Sequence, residues 1–315
     1  MQSLNKYVLV DLENERVLRQ ATAFERRLRT LRAVAPARRG FRGALERMRR
    51  DAEQVSDLQR VEFDGFSCGA ERAIAGPIPH ADVMLLARSL ERQADDNGGA
   101  RAVAFAHALA GEAALRSGFL RLARRELSEA AELHHAQGSA AGEAHVLTLL
   151  AEVSFAGGDR EAGHRILEQA LPRARWSRRA RHLVPRVYGA MIAATPDAAE
   201  AHALVVRAAS ELRPDTCAYC LLAFAIPAVA AASDAGDLDL ARHYAELVWA
   251  SSRVWGGTTV EAAFSESLAH FAAAKGGDAL PHLQLAIAAF DAAGQPLDVK
   301  RCVALRSHLY AASAA

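Results

Sequence analysis

The sequence predicts an all-α protein built as a solenoid of stacked helical hairpins. Three observations predict it. A turn-then-helix pattern recurs five times, its marked residues spaced 39, 39, 40 and 40 apart. Each copy is flanked by apolar-periodic stretches of helical length. The apolar fraction is 51% while aromatics make up only 6%, and alanine dominates it, which suits thin helices that approach closely. Repetition on this scale is the mark of an array in which each unit buries the apolar face of its neighbour.

Taken in chain order, residues 1–60 form a basic segment with 14 basic against 8 acidic residues. Helical patterns at about 11–34 and 41–60 are broken by Pro36 and Gly40. Residues 61–79, rich in Gly and Pro and without a clean helical period, read as an irregular connection. The repeat domain is expected over 80–315. It opens with an unpaired helix, about His80–Asp95, after Pro77-Ile-Pro79.

The hairpins follow. Their turns read Gly118-Phe-Leu-Arg-Leu-Ala123, Gly158-Asp-Arg-Glu-Ala162, Pro196-Asp-Ala-Ala-Glu-Ala201 and Gly236-Asp-Leu-Asp-Leu-Ala241. In the fifth, Gly277-Asp-Ala-Leu-Pro281-His282, proline stands where alanine is expected. First helices are predicted over stretches such as Arg101–Ser117 and Ala140–Ala156, second helices over Phe119–His135 and Asp159–Arg175. Glycine at the turn ends the first helix, and Asp159, Asp197, Asp237 and Asp278 can cap the second. The joints carry their own breakers at Gln137-Gly138, Pro214-Asp215, Gly256-Gly257 and Gly294-Gln295-Pro296. Leu297–Ser313 is an amphipathic helix without a partner, which reads as a C-terminal cap on the last hairpin.

These features resemble the tetratricopeptide (TPR) family. Gly111, Ala123, Leu127 and Ala130 fall where that family places its small, small, large and small packing residues, and later units keep Ala162, Ile166 and Ala170, then Ala241 and Val248. The period exceeds the family's usual one of about 34, so each hairpin has longer helices. The resemblance implies a right-handed α-solenoid whose concave surface, lined by first helices, binds a peptide or protein segment. The stretch Ala288-Ala-Phe290 to Lys300-Arg301 is similar to the segment closing the helical-repeat region of bacterial LuxR-type transcriptional regulators. That second resemblance implies the sensor or interaction part of such a regulator. The chain stops at Ala315 and carries no Gly-x-x-x-x-Gly-Lys-Ser/Thr loop, so neither a C-terminal DNA reader nor an ATPase module is expected.

Composition narrows the partners. Net charge is +1, from 38 basic and 37 acidic residues, which argues against a general polyanion binder. Arginine outnumbers lysine 35 to 3, a bias that with the alanine content points to GC-rich bacterial coding. No run approaches the roughly 20 apolar residues of a membrane span, and Met1–Val10 has no leader-like apolar core. A cytoplasmic location without a membrane partner is therefore expected.

Three clusters carry candidate chemistry. The first is Arg173, Arg175, Arg178, Arg179, Arg181 and Arg186 with Trp176 and His182, in a stretch from Gln169 to Pro196 without an acidic residue. It could grip an acidic peptide, a phosphate or nucleic acid; alternatively its arginines cap helix ends and cover apolar neighbours at a solvated joint. Of the chain's clusters it is the best candidate for partner binding. The second is Cys217-Ala-Tyr-Cys220, where a helix N-terminus would favour thiolate for redox chemistry. A structural zinc would need two further ligands, and the packing alternative is two small residues at helical spacing. The third, the Arg run between Arg26 and Arg50, could be a nucleic-acid arm or a salt-bridged helix face. His134-His135 and His145 read as surface and core residues. No nucleophile elbow or phosphate loop frames the Ser, His and Asp present, so a non-catalytic, cofactor-free scaffold is expected, with a DNA-associated or ligand-sensing regulator as the competing class.

Overall fold

A computed structural model describes residues 79–96, 100–176, 180–212, 218–255 and 257–313. The basic segment 1–60 and nearly all of the connection 61–79 lie outside them. The described residues form twelve α-helices and one short 3-10 helix, with no strand.

The helices are α1 (His80–Asp96), α2 (Ala100–Arg116), α3 (Leu120–Ala136), α4 (Ala140–Ala156), α5 (Arg160–Trp176), α6 (Val184–Ala194), α7 (Ala198–Ala209), α8 (Ala218–Asp234), α9 (Leu238–Trp255), α10 (Thr258–Ala274), α11 (Leu280–Ala292) and α12 (Pro296–Ser313). The 3-10 helix, Ala180–Leu183, leads into α6. The expected hairpins are α2–α3, α4–α5, α6–α7, α8–α9 and α10–α11, each packed within itself. Helix α1 packs extensively on α2 outside the five hairpins, and α12 covers α11. First helices also pack on first helices, α2 on α4, α4 on α6, α6 on α8 and α8 on α10, while second helices contact one another far less.

That asymmetry is written in the side chains. Helix α4 has 11 of its 17 residues buried, as expected of a helix covered on several sides. Helix α5 buries only Gly163, Leu167, Ala170, Leu171 and Ala174, a single stripe.

One turn geometry serves most hairpins. At the end of α2 the Gly118 N–H reaches Leu115 O at 2.9 Å and Phe119 N–H reaches Ala114 O at 2.8 Å. The same pair of bonds closes α4 through Gly158 and Asp159. Gly118 and Gly158 sit at φ +79° and +85°, the left-handed conformation that makes glycine the favoured residue at this position. Three of the four predicted caps form; in the fifth hairpin Ala279 takes the N-cap place, and Asp278, one residue earlier, still accepts from the first turn. Asp159, Asp197, Asp237 and Asp278 accept from the backbone N–H of Ala162, Glu200, Leu240 and Leu280 at 2.8–3.1 Å.

The packing register differs from the one expected in two hairpins. In α3 the buried small, large and small residues are Ala123, Leu127 and Ala130. In α5 they are Gly163, Leu167 and Ala170, whereas Ala162 and Ile166 are half-buried. Counting from the left-handed glycine gives the reason: Ala123 follows Gly118 by five residues, and so does Gly163 follow Gly158. Gly163 has no side chain because Phe155 occupies the crossing, its ring 2.4 Å from where a Cβ would stand. In the fifth hairpin the left-handed residue is Gly276, not Gly277. Its turn is two residues longer, so Leu283 takes the buried place and Pro281 falls in the first turn of α11, where a missing N–H costs nothing.

Between α6 and α8 the backbones nearly touch. A Cβ on Gly189 would lie 2.1 Å from Ala223 O. A continuous apolar core runs from Ala141 in α4 through Leu183, Tyr188 and Phe224 to Phe264 in α10. A separate cluster of Ala262, Ala269, Leu283, Phe290 and Cys302 packs α12 onto the last hairpin.

Candidate partner-binding surface

The arginine-rich joint lies where α5 ends and the 3-10 helix turns into α6. The structure distributes its side chains unequally. Arg173 Nε lies 3.2 Å from Glu143 Oε1 on α4. Arg175 grips Glu211 with two nitrogens, Nε donating to Oε2 at 2.9 Å. A third bond runs from Arg175 Nη2 to the Tyr188 hydroxyl at 3.1 Å, and that hydroxyl donates in turn to Glu211. The guanidinium of Arg207 lies 5.6 Å from the centre of the Tyr188 ring. Bonding from Arg175 holds the Glu211 carboxyl below its ordinary range, and burial together with Glu211 pushes the Tyr188 hydroxyl up.

Arg186 points inward instead. Its Nη1 donates to His145 Nδ1 at 3.0 Å, and burial with this guanidinium pushes the imidazole well below its usual range, so His145 is neutral. Neighbouring His134 is fully buried with neither ring nitrogen hydrogen-bonded, and burial lowers it to about 4. Gly142 makes room for it: a Cβ there would stand 2.3 Å from His134 Nδ1. His135 faces solvent beside Glu143.

Two of the predicted residues face outward. Trp176 is 77% exposed, and Arg181 is exposed with no carboxylate partner among the described residues. Arg181 borders an open recess of about 410 Å³ that Arg175, Val184, Ser210, Glu211 and Leu212 also line. Arg178 and Arg179 lie outside the described residues. Among the described residues the joint is therefore a mixed surface: an exposed indole, the solvent-facing guanidinium of Arg181 and a neutralised Arg–Glu–Tyr knot.

Sequence reasoning missed Glu143 and Glu211, because the stretch around the arginines contains no acid: Glu143 arrives from α4 and Glu211 from the turn after α7. A signal for Glu211 existed. Arg175–Glu211, His270–Asp234 and Arg116–Glu152 pair across 36 residues, and His202–Asp237 and Arg301–Glu266 across 35. Equivalent positions lie about one repeat on, and one helical turn back from there is a neighbour on the same face.

Cys220 lies in the first turn of α8, fully buried in the main core; Cys217 lies outside the described residues. No three His, Cys, Asp or Glu side chains converge as metal ligands among the described residues. No described helix is long and apolar enough to cross a membrane. Comparison with known protein families, curated proteins and solved structures finds no match to this chain.

Proposed function

We propose that the protein is a non-catalytic scaffold that binds a protein or peptide segment, with its hairpins wound as a right-handed α-solenoid of the TPR kind. The observation that carries this reading is Trp176, at 77% the most exposed large apolar side chain among the described residues, next in sequence to Arg175, which lines a recess shared with the solvent-facing Arg181. Aromatic and arginine side chains dominate binding energy where they enter a partner. A stacked array presents them at little ordering cost, since its backbone is fixed before binding. The similarity of the C-terminal stretch to LuxR-type regulators makes bacterial transcriptional regulation, in the cytoplasm, the proposed setting.

The test is capture of partner proteins by the full chain and by a Trp176→Ala, Arg181→Glu variant, from the cell that makes it. Protein partners that bind the parent at physiological salt and are lost severalfold with the variant support the scaffold. Retention of DNA instead, falling steeply with salt, would replace it with the DNA-associated reading. Partners retained equally by both proteins would move recognition off this joint.

A further inference from the structure

We infer that the array returns on itself after one turn, the α11–α12 joint docking on the α2–α3 turn as a seam that can open. This rests on the solenoid reading proposed above and extends it to how the inner face is reached.

The two ends meet in space. A Cβ built on Gly118 would stand 3.3 Å from Pro296 Cγ and 3.9 Å from Leu297 Cγ, although 178 residues separate Gly118 from Pro296 in the chain. The charges agree. Asp298, in the first turn of α12, lies within electrostatic reach of both His80 at the start of α1 and Arg116 at the end of α2. Arg116 is otherwise held by Glu152 at 2.9 Å and Glu112 at 3.7 Å, and Asp298 by Arg301, which also binds Glu266.

Topology gives the contact its meaning. In alternating antiparallel helices, every turn inside a hairpin lies at one edge of the array and every joint between hairpins at the other. Gly118 belongs to a turn, Pro296 to a joint. Their contact joins opposite edges, so the array rises by one helix length in a single circuit, about 25 Å for 17 residues. A straight stack would hold these points on the order of 40 Å apart, four to five hairpins at 8–10 Å each.

The seam is built to be reversible. Pro296 is exposed and Leu297 and Asp298 are only half-buried. Next to them Gln295 is 1% exposed with neither side-chain amide atom hydrogen-bonded, and Glu112 Oε2 is buried without a partner. Unsatisfied buried polar groups favour any state that lets water reach them. The closed coil restricts the first helices to a segment threaded through it, and opening the seam exposes them.

Spin labels at Phe119→Cys and Pro296→Cys test this in the full chain, with Cys68 and Cys217 replaced by Ser and the buried Cys220 and Cys302 retained. A second pair, Phe119→Cys with Arg160→Cys, reports on neighbouring hairpins. The expected result is one short distance for each pair, with the 119–296 pair gaining a long component as salt screens Asp298. Leu297→Arg sets a cation against Arg116 and His80 and is expected to cut the short population severalfold at unchanged helicity; Asp298→Asn shifts it the same way by less. A 119–296 distance near 40 Å with a short 119–160 distance overturns the seam and spares the array. Long distances for both pairs overturn the array itself. A short 119–296 distance that neither substitution changes overturns the assignment of the seam to this contact.

Discussion

At the scale of single residues, His134 is the group whose chemistry the fold alters most visibly. It is fully buried with both nitrogens unpaired, and its folded value of about 4 lies below the 6.5 of an unfolded chain. The unfolded state therefore takes up a proton first as pH falls. Stability is full above pH 6.5, is lost progressively between 6.5 and 4, and changes no further from this source below 4. The gap amounts to roughly 3 kcal/mol for His134, and His145 acts in the same direction. We predict that His134→Leu removes the part of this acid sensitivity that belongs to His134, leaving that of His145, and costs little at pH 7, since no hydrogen bond is broken. Urea midpoints at pH 7 and pH 4.5 measure it; a variant as acid-sensitive as the parent contradicts the assignment. Nothing in the dipeptide His134-His135 tells which ring is inside. That follows from Gly142 in the first turn of α4, whose missing side chain admits one imidazole, and that glycine is the trace of it in the sequence.

Helices and turns set the next scale, where most of the fold was legible. Left-handed glycines and capping aspartates act within a few residues, so they marked element ends to within about one position. Packing register was less legible because the pattern was aligned on alanine, which is common everywhere in this chain. Aligned on the turns, Gly163 and Leu283 would have replaced Ala162 and Pro281. Two glycines separate these effects by experiment. Gly158 is left-handed with open space around its would-be Cβ, so Gly158→Ala should cost only the backbone term, about 1–2 kcal/mol. Gly189 is an ordinary helical residue, but its Cβ would strike Ala223 O on α8, and neither backbone can swing aside as a side chain could. Gly189→Ala should cost at least as much, about 1–3 kcal/mol or more, and should loosen the α6–α8 pair. Thermal midpoints give the sizes, and hydrogen exchange in α8 gives the place. A Gly189→Ala protein as stable as the parent would mean the two helices are not in close contact.

For the whole molecule, the joint arginines show why site prediction lagged behind fold prediction. Their neutralising partners are distant in sequence: Glu211 is reached from Arg175 through the repeat period, and Glu143 from Arg173 across the α4–α5 hairpin. The same principle governs how damage should spread. Each first helix packs on its own second helix and on the next first helix, so removing the C-terminal part strips contacts from the last remaining hairpin and from little else. Ending the chain at Ala235 deletes α9 to α12 and takes from α8 its partners Ala241, Tyr244 and Val248, including the edge-on contact of Phe224 with Tyr244 at 5.3 Å between ring centres. Helices α2 to α5 lose only the seam at Gly118. The shortened protein should therefore keep the helicity of residues 80–209 by circular dichroism, with amide protection unchanged in α4 and reduced in α8. The continuous core from α4 to α10 offers the opposite outcome: if it forms one indivisible cooperative unit, protection in α4 falls together with that in α8. Equal loss in both helices would show that the hairpins do not stand on nearest-neighbour contacts, and the solenoid reading would fall with them.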